Sequence, residues 1–513
     1  MIVVLFIYEN QVAFVLNQYV FLRLPEYSST DRIDLLILQE RNTPRMPFHF
    51  TVHGHFYQPA REDVLTGLIP IEPSARPYPN WNDCIYQRCY RPNAELGNFR
   101  KISFDIGPTL FRWLEQEHPE TYRQILEQER ENFHLYGVSN AMAQSYYHII
   151  LPMASRRDKQ TQLRWGIREY HHRFQHAPQG LWLPETAVDL ETLEMLVKEN
   201  IQFTILAPWQ AANGMLDPHQ PGLVELPSGN SIAIFYYEAS LSGQVSFYPT
   251  ATRNATRFVQ EQVLPAYQGE DGSDKLLMVA SDGELYGHHQ RFRDKFLAYL
   301  LDGAANEAGL DALYPARWLA SFPTEKETMV QPNTSWSCHH GIERWRGVCG
   351  DAPLADWKAP LRAALDHLAN EIDLIYEDTL QPFISDPWQL RDDYIQVILK
   401  QKTADTLIQE FLQVQTSDDK IKTIRLLLEA QDNRMKMFAS DAWFFEEFDR
   451  IEPRNAIQYA AFAAWLVQKA AGADIHSALK NDLAKAISLD GQTSGEAVFS
   501  TYWDILSQRL DPT

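Results

Sequence analysis

The chain has 513 residues, a formal net charge of −21, a sequence pI near 5.2 and 45% apolar residues. That length exceeds one ordinary core and implies two or three domains. The acidity excludes an extended phosphate-binding surface, which needs an excess of Lys and Arg, so neither nucleic acid nor an anionic membrane is expected as a partner.

The first segment, "MIVVLFIYENQVAFVLNQYVFLRL", is apolar but interrupted by Glu9, Asn10, Gln11, Asn17 and Gln18. It lacks a basic leader and a small-residue cleavage site, and its polar interruptions do not suit a membrane span. Met46 opens "MPFHFTVHGHFYQP", which reads as the natural start of a first strand, so residues 1–45 are expected to be an N-terminal extension outside the core. From residue 47 strands and helices alternate. "FHFTVH" is strand-like, and "GPTLFRWLEQEHPETYRQILEQERE" has helical periodicity with Leu110, Trp113, Leu114, Tyr122 and Ile125 on one side. A second helix is expected over "RRDKQTQLRWGIREYHHRFQ", a short strand over "GLWLPE", and a helix capped by Asp189 over "LETLEMLVKEN". "FTILAP", "SIAIFYY" and "KLLMVAS" read as strands; "TRNATRFVQEQVLPAY" and "RFRDKFLAYLLDGAANEA" read as helices. This alternation implies parallel βαβ units in a barrel or an open sheet, ending near residue 352. Residues 353–513 carry helical periodicity only, which makes them an all-α C-terminal domain.

Four cysteines, Cys84, Cys89, Cys338 and Cys349, are too few for a secreted disulfide framework, and reduced thiols in a cytoplasm are expected. Aromatic residues reach 12%, with 13 Trp and 23 Tyr. Either a large core or the stacking of flat rings on sugars accounts for that.

In parallel α/β folds functional groups gather where strands end at their carboxyl side. "HGHFYQP" brings His53, His55 and Gln58 there, "SFDIGP" Asp105, "GLWLPET" Trp182 and Glu185, and "ASDGELYGHH" Asp282, Glu284, His288 and His289. "SWSCHHGIERW" adds Trp336, His339, His340, Glu343 and Trp345. Each alone has a plain explanation: a solvated histidine, an aspartate that caps a helix or forms a turn, an Asp-Gly turn, two buried thiols. Their coincidence at several strand ends is what points to a site.

"HGHFYQP", "GLWLPE" and "SDGELYGHH", in this order, resemble motifs of glycoside hydrolase family 57, the α-amylase and α-glucanotransferase group. The first is similar to a His-Gln-Pro motif with Phe56 and Tyr57 inserted. "YYHIILP" is similar to a further segment, with His148 on its histidine and Ile149 in place of a proline. The resemblance spans roughly residues 46 to 350 and implies a distorted (β/α)7 barrel, residues 46–352, acting on α-linked glucan with retention and without a metal or other cofactor. The helical end also resembles that of a poorly characterised branch of the family. The resemblance implies that Glu185 is the nucleophile and Asp282 the acid/base, with an oligo- or polysaccharide as the substrate partner. Retaining enzymes hold two such carboxyls about 5–5.5 Å apart. Glu185 is then expected ionised and held by donors, and Asp282 protonated at the start, which calls for a buried setting beside the other acid. Gly283 keeps the turn free of bulk, and Glu284 ranks below Asp282, as a loop-fixing residue. His53, His55, Gln58, Asp105, His148, His288 and His340 are expected to bind substrate, with Trp182, Trp336 and Trp345 as stacking platforms; core packing serves Trp345 equally well.

Two rivals come from other classes. His53, His55, Asp105, His288 and His289 could hold a divalent metal, since "SFDIG" faintly resembles the Thr-Phe-Asp-Asp-Gly of polysaccharide deacetylases. A non-catalytic glycan-binding protein on a decayed enzyme fold is the other, weakened by the presence of both acids. A structural metal at Cys338, His339, His340 and Cys349 is a local variant, although adjacent histidines followed by a distant cysteine are not a standard zinc spacing.

Overall fold

The computed structural model describes residues 48–212, 217–267 and 273–510, together with the backbone of three short N-terminal strands. Those strands, Val4–Tyr8, Gln11–Leu16 and Tyr19–Arg23, pair antiparallel with one another. Contacts divide the chain into Met1–Pro47 and Phe48–Thr513. The rest of the expected N-terminal extension, and Met46 itself, lie outside the described residues.

Eight strands build the body of the second unit: β1 (Phe48–Phe56), β2 (Ser103–Ile106), β3 (Ala141–Gln144), β4 (Leu181–Trp182), β5 (Phe203–Leu206), β6 (Gly222–Glu225), β7 (Ser231–Tyr236) and β8 (Lys275–Asp282). Parallel pairing runs β8-β1-β2-β3-β4. A parallel bridge from Gly180 to Phe203 carries it on to β5, which pairs parallel with β7. The Glu238 N–H then donates to the Met278 carbonyl at 2.7 Å, so the chain just beyond β7 meets β8 and the ring comes back on itself. Seven parallel strands therefore form the curled sheet, a distorted (β/α)7 barrel, with β6 added antiparallel to β7.

The strand β1 shows how the sequence divides the two faces. Side chains alternate along a strand. Phe50, Val52 and Phe56 join the large apolar cluster under the helices. His49, Thr51, His53 and His55 take the other face, and all four are buried. A smaller apolar cluster includes Met142, Trp182, Phe203, Ile205, Phe235 and Met278 from neighbouring strands.

The helix expected over 107–131 is two helices, Pro108–Glu117 and Pro119–Tyr136. The residue before a proline is pushed out of the α region, and His118, at φ −136° and ψ 58°, makes the break. Asp189 caps Leu190–Lys198 by accepting the Thr192 N–H at 2.7 Å. Beyond residue 353 the structure is helical, with long helices at Lys358–Leu380, Asp418–Lys436, Ile451–Ala471 and Gly495–Leu510. No helix among the described residues is long and apolar enough to cross a membrane.

The texture changes near residue 353, but the compact unit does not end there. Asp158, on the barrel helix Arg156–Phe174, accepts from Arg391 at 3.0 Å and from Arg434 at 2.8 Å, both from the helical region. All three residues are buried, and Arg434 also reaches Asp373 at 2.7 Å. Burial pushes the Asp158 carboxyl up, but the two guanidiniums outweigh it and hold it below the usual carboxylate range. Removing one partner from such a cluster strands the others without a counter-charge. Asp158→Ala is expected to cost about 3–5 kcal/mol of stability in chemical denaturation; a loss under about 1 kcal/mol, the range of an exposed pair, would show that the cluster does not hold the two parts together.

Candidate active site

The site is set by register. His55 pairs with Asp282 across β1 and β8 and with Asp105 across β1 and β2, so three polar residues stand side by side at the carboxyl ends of adjacent strands. Asp105, wholly buried, accepts His53 Nε2 on one oxygen at 3.1 Å and His55 Nδ1 on the other at 2.9 Å.

The hydrogen-bond network assigns the ring protons. Burial lowers the His53 pKa, so the ring is neutral, donates from Nε2 to Asp105 and accepts the Ser103 hydroxyl on Nδ1 at 2.9 Å. For His55 burial again opposes the charge, but Asp105, with Asp282 and Glu284 behind it, overrides that and lifts the ring to about 9. His55 therefore carries a proton on each nitrogen at neutral pH. Its Nε2 donates to His148 Nε2 at 3.2 Å. Burial and the charge of His55 drive the His148 pKa well down, so that ring is neutral and donates Nδ1–H to Ser440 Oγ at 2.7 Å. Ser440 belongs to the helical region, which thus takes part in the site.

Glu185 sits one turn beyond β4. It and Thr186 have φ of 56° and 50°, the left-handed region that costs an L-residue on the order of 1–2 kcal/mol. Surrounding bonds enforce that conformation: the Trp336 N–H donates to the Glu185 carbonyl at 3.0 Å, and Gln210 both donates to the Thr186 carbonyl and accepts its hydroxyl, each at 2.8 Å. The turn directs the carboxylate at two donors. Trp336 Nε1 at 3.0 Å and Ser337 Oγ at 2.6 Å both bind its Oε2. Burial raises the Glu185 pKa; the Ser337 bond opposes this, Asp282 adds to the rise, Trp336 and His55 oppose it, and the net direction is upward. Glu185 follows the carboxyl end of β4 and Asp282 ends β8, strands of one parallel sheet, so both acids lie at the same mouth of the barrel.

Asp282 itself is exposed at the end of β8, against the expectation of a buried acid. The strand carries it to the rim, and the next residue turns inward. A Cβ on Gly283 would fall 2.3 Å from the Phe56 ring, so only glycine fits there. Glu284 is the buried acid of this turn; its Oε1 accepts the Tyr57 N–H at 3.1 Å and the Tyr90 hydroxyl at 2.7 Å. Burial lifts its pKa to about 7, with Asp282 adding to the rise and Tyr90 and His55 opposing it.

Several expected roles change. Trp182 and Trp345 are wholly buried, so neither stacks on a sugar. Trp182 lies instead against the rings of His53 and His55, at centroid distances of 4.8 and 5.1 Å. His53 and Asp105 have their polar atoms committed inside the protein, so they position His55 rather than touch a ligand. Gln58 is buried too. His288 makes its contacts with Trp81 and His289 and feels the charges of Arg88 and Arg291, not those of the acid pair. With His288 elsewhere and both rings of the first motif committed, the proposed His/Asp metal set is not assembled. His340 stands with Cys338, Cys349 and Asp351.

Other residues of the site had no sequence signal of their own. Tyr57, one of the two inserted residues of the first motif, stacks on His148 at 3.9 Å and donates its hydroxyl to Asp441 at 3.2 Å. Ser337 and Ser440 gain meaning only from contacts across 152 and 292 residues. Trp209 is half exposed, is fixed by its Nε1 on the Ser335 carbonyl, and meets Tyr237 edge-on at 6.0 Å; Tyr237 in turn meets Trp336.

Comparison with known proteins agrees with this architecture. The family model described as "Glycosyl hydrolase family 57" matches residues 11–329, and one described as "Domain of unknown function (DUF3536)" matches residues 355–509. The chain belongs to glycoside hydrolase family 57. A search of curated proteins finds no sequence match. Similar solved structures include an exo-type maltose-forming amylase from Pyrococcus sp. ST04, at 16% identity over 89% of this chain and 88% of that one, with a TM-score of 0.67. A branching enzyme from Pyrococcus horikoshii follows at 15% identity, 89% and 97% coverage and a TM-score of 0.59. An α-amylase from Thermotoga maritima is similar at 14% identity, 88% and 99% coverage and a TM-score of 0.55. At these identities the likeness is one of fold.

Glu284 yields a pH prediction. A carboxyl raised from 4.5 to about 7 binds its proton more tightly in the folded state. Its contribution to stability is complete below about pH 4.5 and is lost as pH rises through about 7. Glu284→Gln is neutral throughout and keeps the acceptor oxygen. Between about pH 5 and about pH 8 the variant is expected to gain on the wild type, by an amount on the order of 3 kcal/mol. Melting temperatures across that range check it, and parallel curves would remove Glu284 from the titration.

Proposed function

We propose that the protein is a retaining glycoside hydrolase or transglycosidase acting on α-linked glucan, with Glu185 as nucleophile and Asp282 as acid/base. The observation that carries this reading is the setting of Glu185. Its carboxylate is held on Oε2 by two donors, in a strained turn, under the influence of Asp282. That leaves Oε1 for an anomeric carbon. The amylase, branching-enzyme and 4-α-glucanotransferase activities of proteins with similar structures support α-glucan as the substrate class.

In the first step Glu185 attacks the anomeric carbon while Asp282 gives its proton to the leaving glycosidic oxygen. A glycosyl ester on Glu185 results. Asp282, now a carboxylate, takes a proton from water or an acceptor sugar, which attacks the ester and frees Glu185. Asp282 stands exposed at the end of β8, open to the leaving glycosidic oxygen. The charged His55 beside both acids offsets their repulsion. Trp209 and Trp336 are the aromatic surfaces available near Glu185, and whether water or sugar completes the second step depends on how well the cleft excludes water.

Glu185→Gln is expected to lose about 10⁴-fold or more in turnover while its affinity for a maltooligosaccharide stays within several-fold. Asp282→Asn is expected to lose about 10²–10⁴-fold, and less on aryl α-glycosides whose leaving group needs no proton. Chromatography of products from a panel of α-glucans and aryl α-glycosides, with binding measured by calorimetry, provides the readout. Unchanged turnover in Glu185→Gln overturns the assignment.

A further inference from the structure

The segment from the short strand Glu327–Thr328, which pairs with β6, to the helix Lys358–Leu380 has a single turn of 3-10 helix, Glu343–Trp345, as its regular structure. Loops of this length are uncommon in compact proteins unless something fixes them. Within it Cys338, His340, Cys349 and Asp351 bring one ligand atom each to within 4.8 Å of one another.

The geometry points to a structural zinc site formed by these four side chains, which fixes the segment that carries Trp336 and Ser337. The donor set is two thiols, one imidazole and one carboxylate, which suits zinc or another thiophilic divalent transition metal and not the oxygen-seeking magnesium or calcium. The two sulfurs are 4.0 Å apart and unbonded. Tetrahedral zinc with Zn–S bonds of about 2.3 Å sets its sulfurs about 3.8 Å apart, so the pair is already near that spacing. Asp351 is oriented by the His339 N–H at 2.8 Å and lies 3.4 Å from His340 Nδ1. Gly350 leaves room for the His340 ring, since a Cβ there would come within 2.6 Å of it. Two thiolates and a carboxylate around zinc leave one net negative charge. Lys358, buried beside this segment, donates from Nζ to the Arg344 carbonyl at 3.2 Å.

Loading releases a proton from each thiol to solvent, and no oxidant or reductant is needed. The chain segment then becomes a closed loop whose entrance, at Cys338, directly follows the two donors of the Glu185 carboxylate. His339 is not a ligand of this set; Asp351 takes its place.

The full-length protein, purified without a metal-affinity step and desalted, is expected to carry about one zinc per chain by mass spectrometric metal analysis. Cobalt(II) substitution is expected to give the intense visible bands of a tetrahedral site and a thiolate charge-transfer band. Cys349→Ser and Asp351→Ala are each expected to lower the metal content. Should those variants fail to fold, the cobalt spectrum of the wild type decides. Absence of bound metal after incubation with zinc, a pale octahedral cobalt spectrum, or a native mass showing Cys338 joined to Cys349 by loss of two hydrogens overturns the proposal. None of these readouts depends on catalysis, so a failure of the hydrolase reading and a failure of the zinc site remain distinguishable.

Discussion

Asp105 is wholly buried and gives one carboxylate oxygen to His53 and the other to His55. A buried carboxylate is tolerable only when its charge is met and its lone pairs are used, and here one ring answers as a cation and the other as a neutral donor. The orientation of the whole cluster follows. His55, fixed at Nδ1, has its second proton directed at His148, whose own proton goes to Ser440. Trp182 closes the stack from below. The cation between Glu185, Asp282 and Glu284 is what lets three acids share one barrel mouth.

This arrangement makes the helical region part of the machine. Ser440 and Asp441 come from a turn between two of its helices, and they hold His148 and Tyr57 respectively. Further down, Asp158 receives two arginines from the same region. Burial raises Asp441 to about 7, with Glu452 adding to the rise, so the contact with Tyr57 is itself sensitive near neutrality. The sequence shows a change from alternating strands to continuous helix and suggests a border, but hydrogen bonds and ion pairs cross it at Ser440, Asp441, Arg391 and Arg434.

Much of the fold was legible because its signals are local. Strand alternation, the Asp189 cap and the long amphipathic helices depend on neighbours a few residues away. The break at His118 was legible too, since Pro119 forbids a continuous helix, though the periodicity on either side conceals it. At the site, the residue types at strand ends were readable, while their depth was not. Asp282 and Glu284 are two residues apart, and only the direction of the turn decides which is buried. Trp182 and Trp336 have the same chemistry, yet one is core and the other binds Glu185. Ser337, Asp351 and Ser440 are ordinary residues in sequence and acquire roles through partners folded against them. The inserted Phe56 and Tyr57 look like a disturbance of the first motif; instead Phe56 packs against Gly283 and Tyr57 walls in His148.

The left-handed pair at Glu185 and Thr186 has a consequence for how this protein can change. Most residue types resist that conformation, and glycine, which accepts it readily, would remove the acid along with the discomfort. The turn is thus a place where comfort of the backbone and possession of a carboxylate exclude each other. Variation at this point is confined from two directions at once, and improvements in robustness must be sought in other parts of the chain.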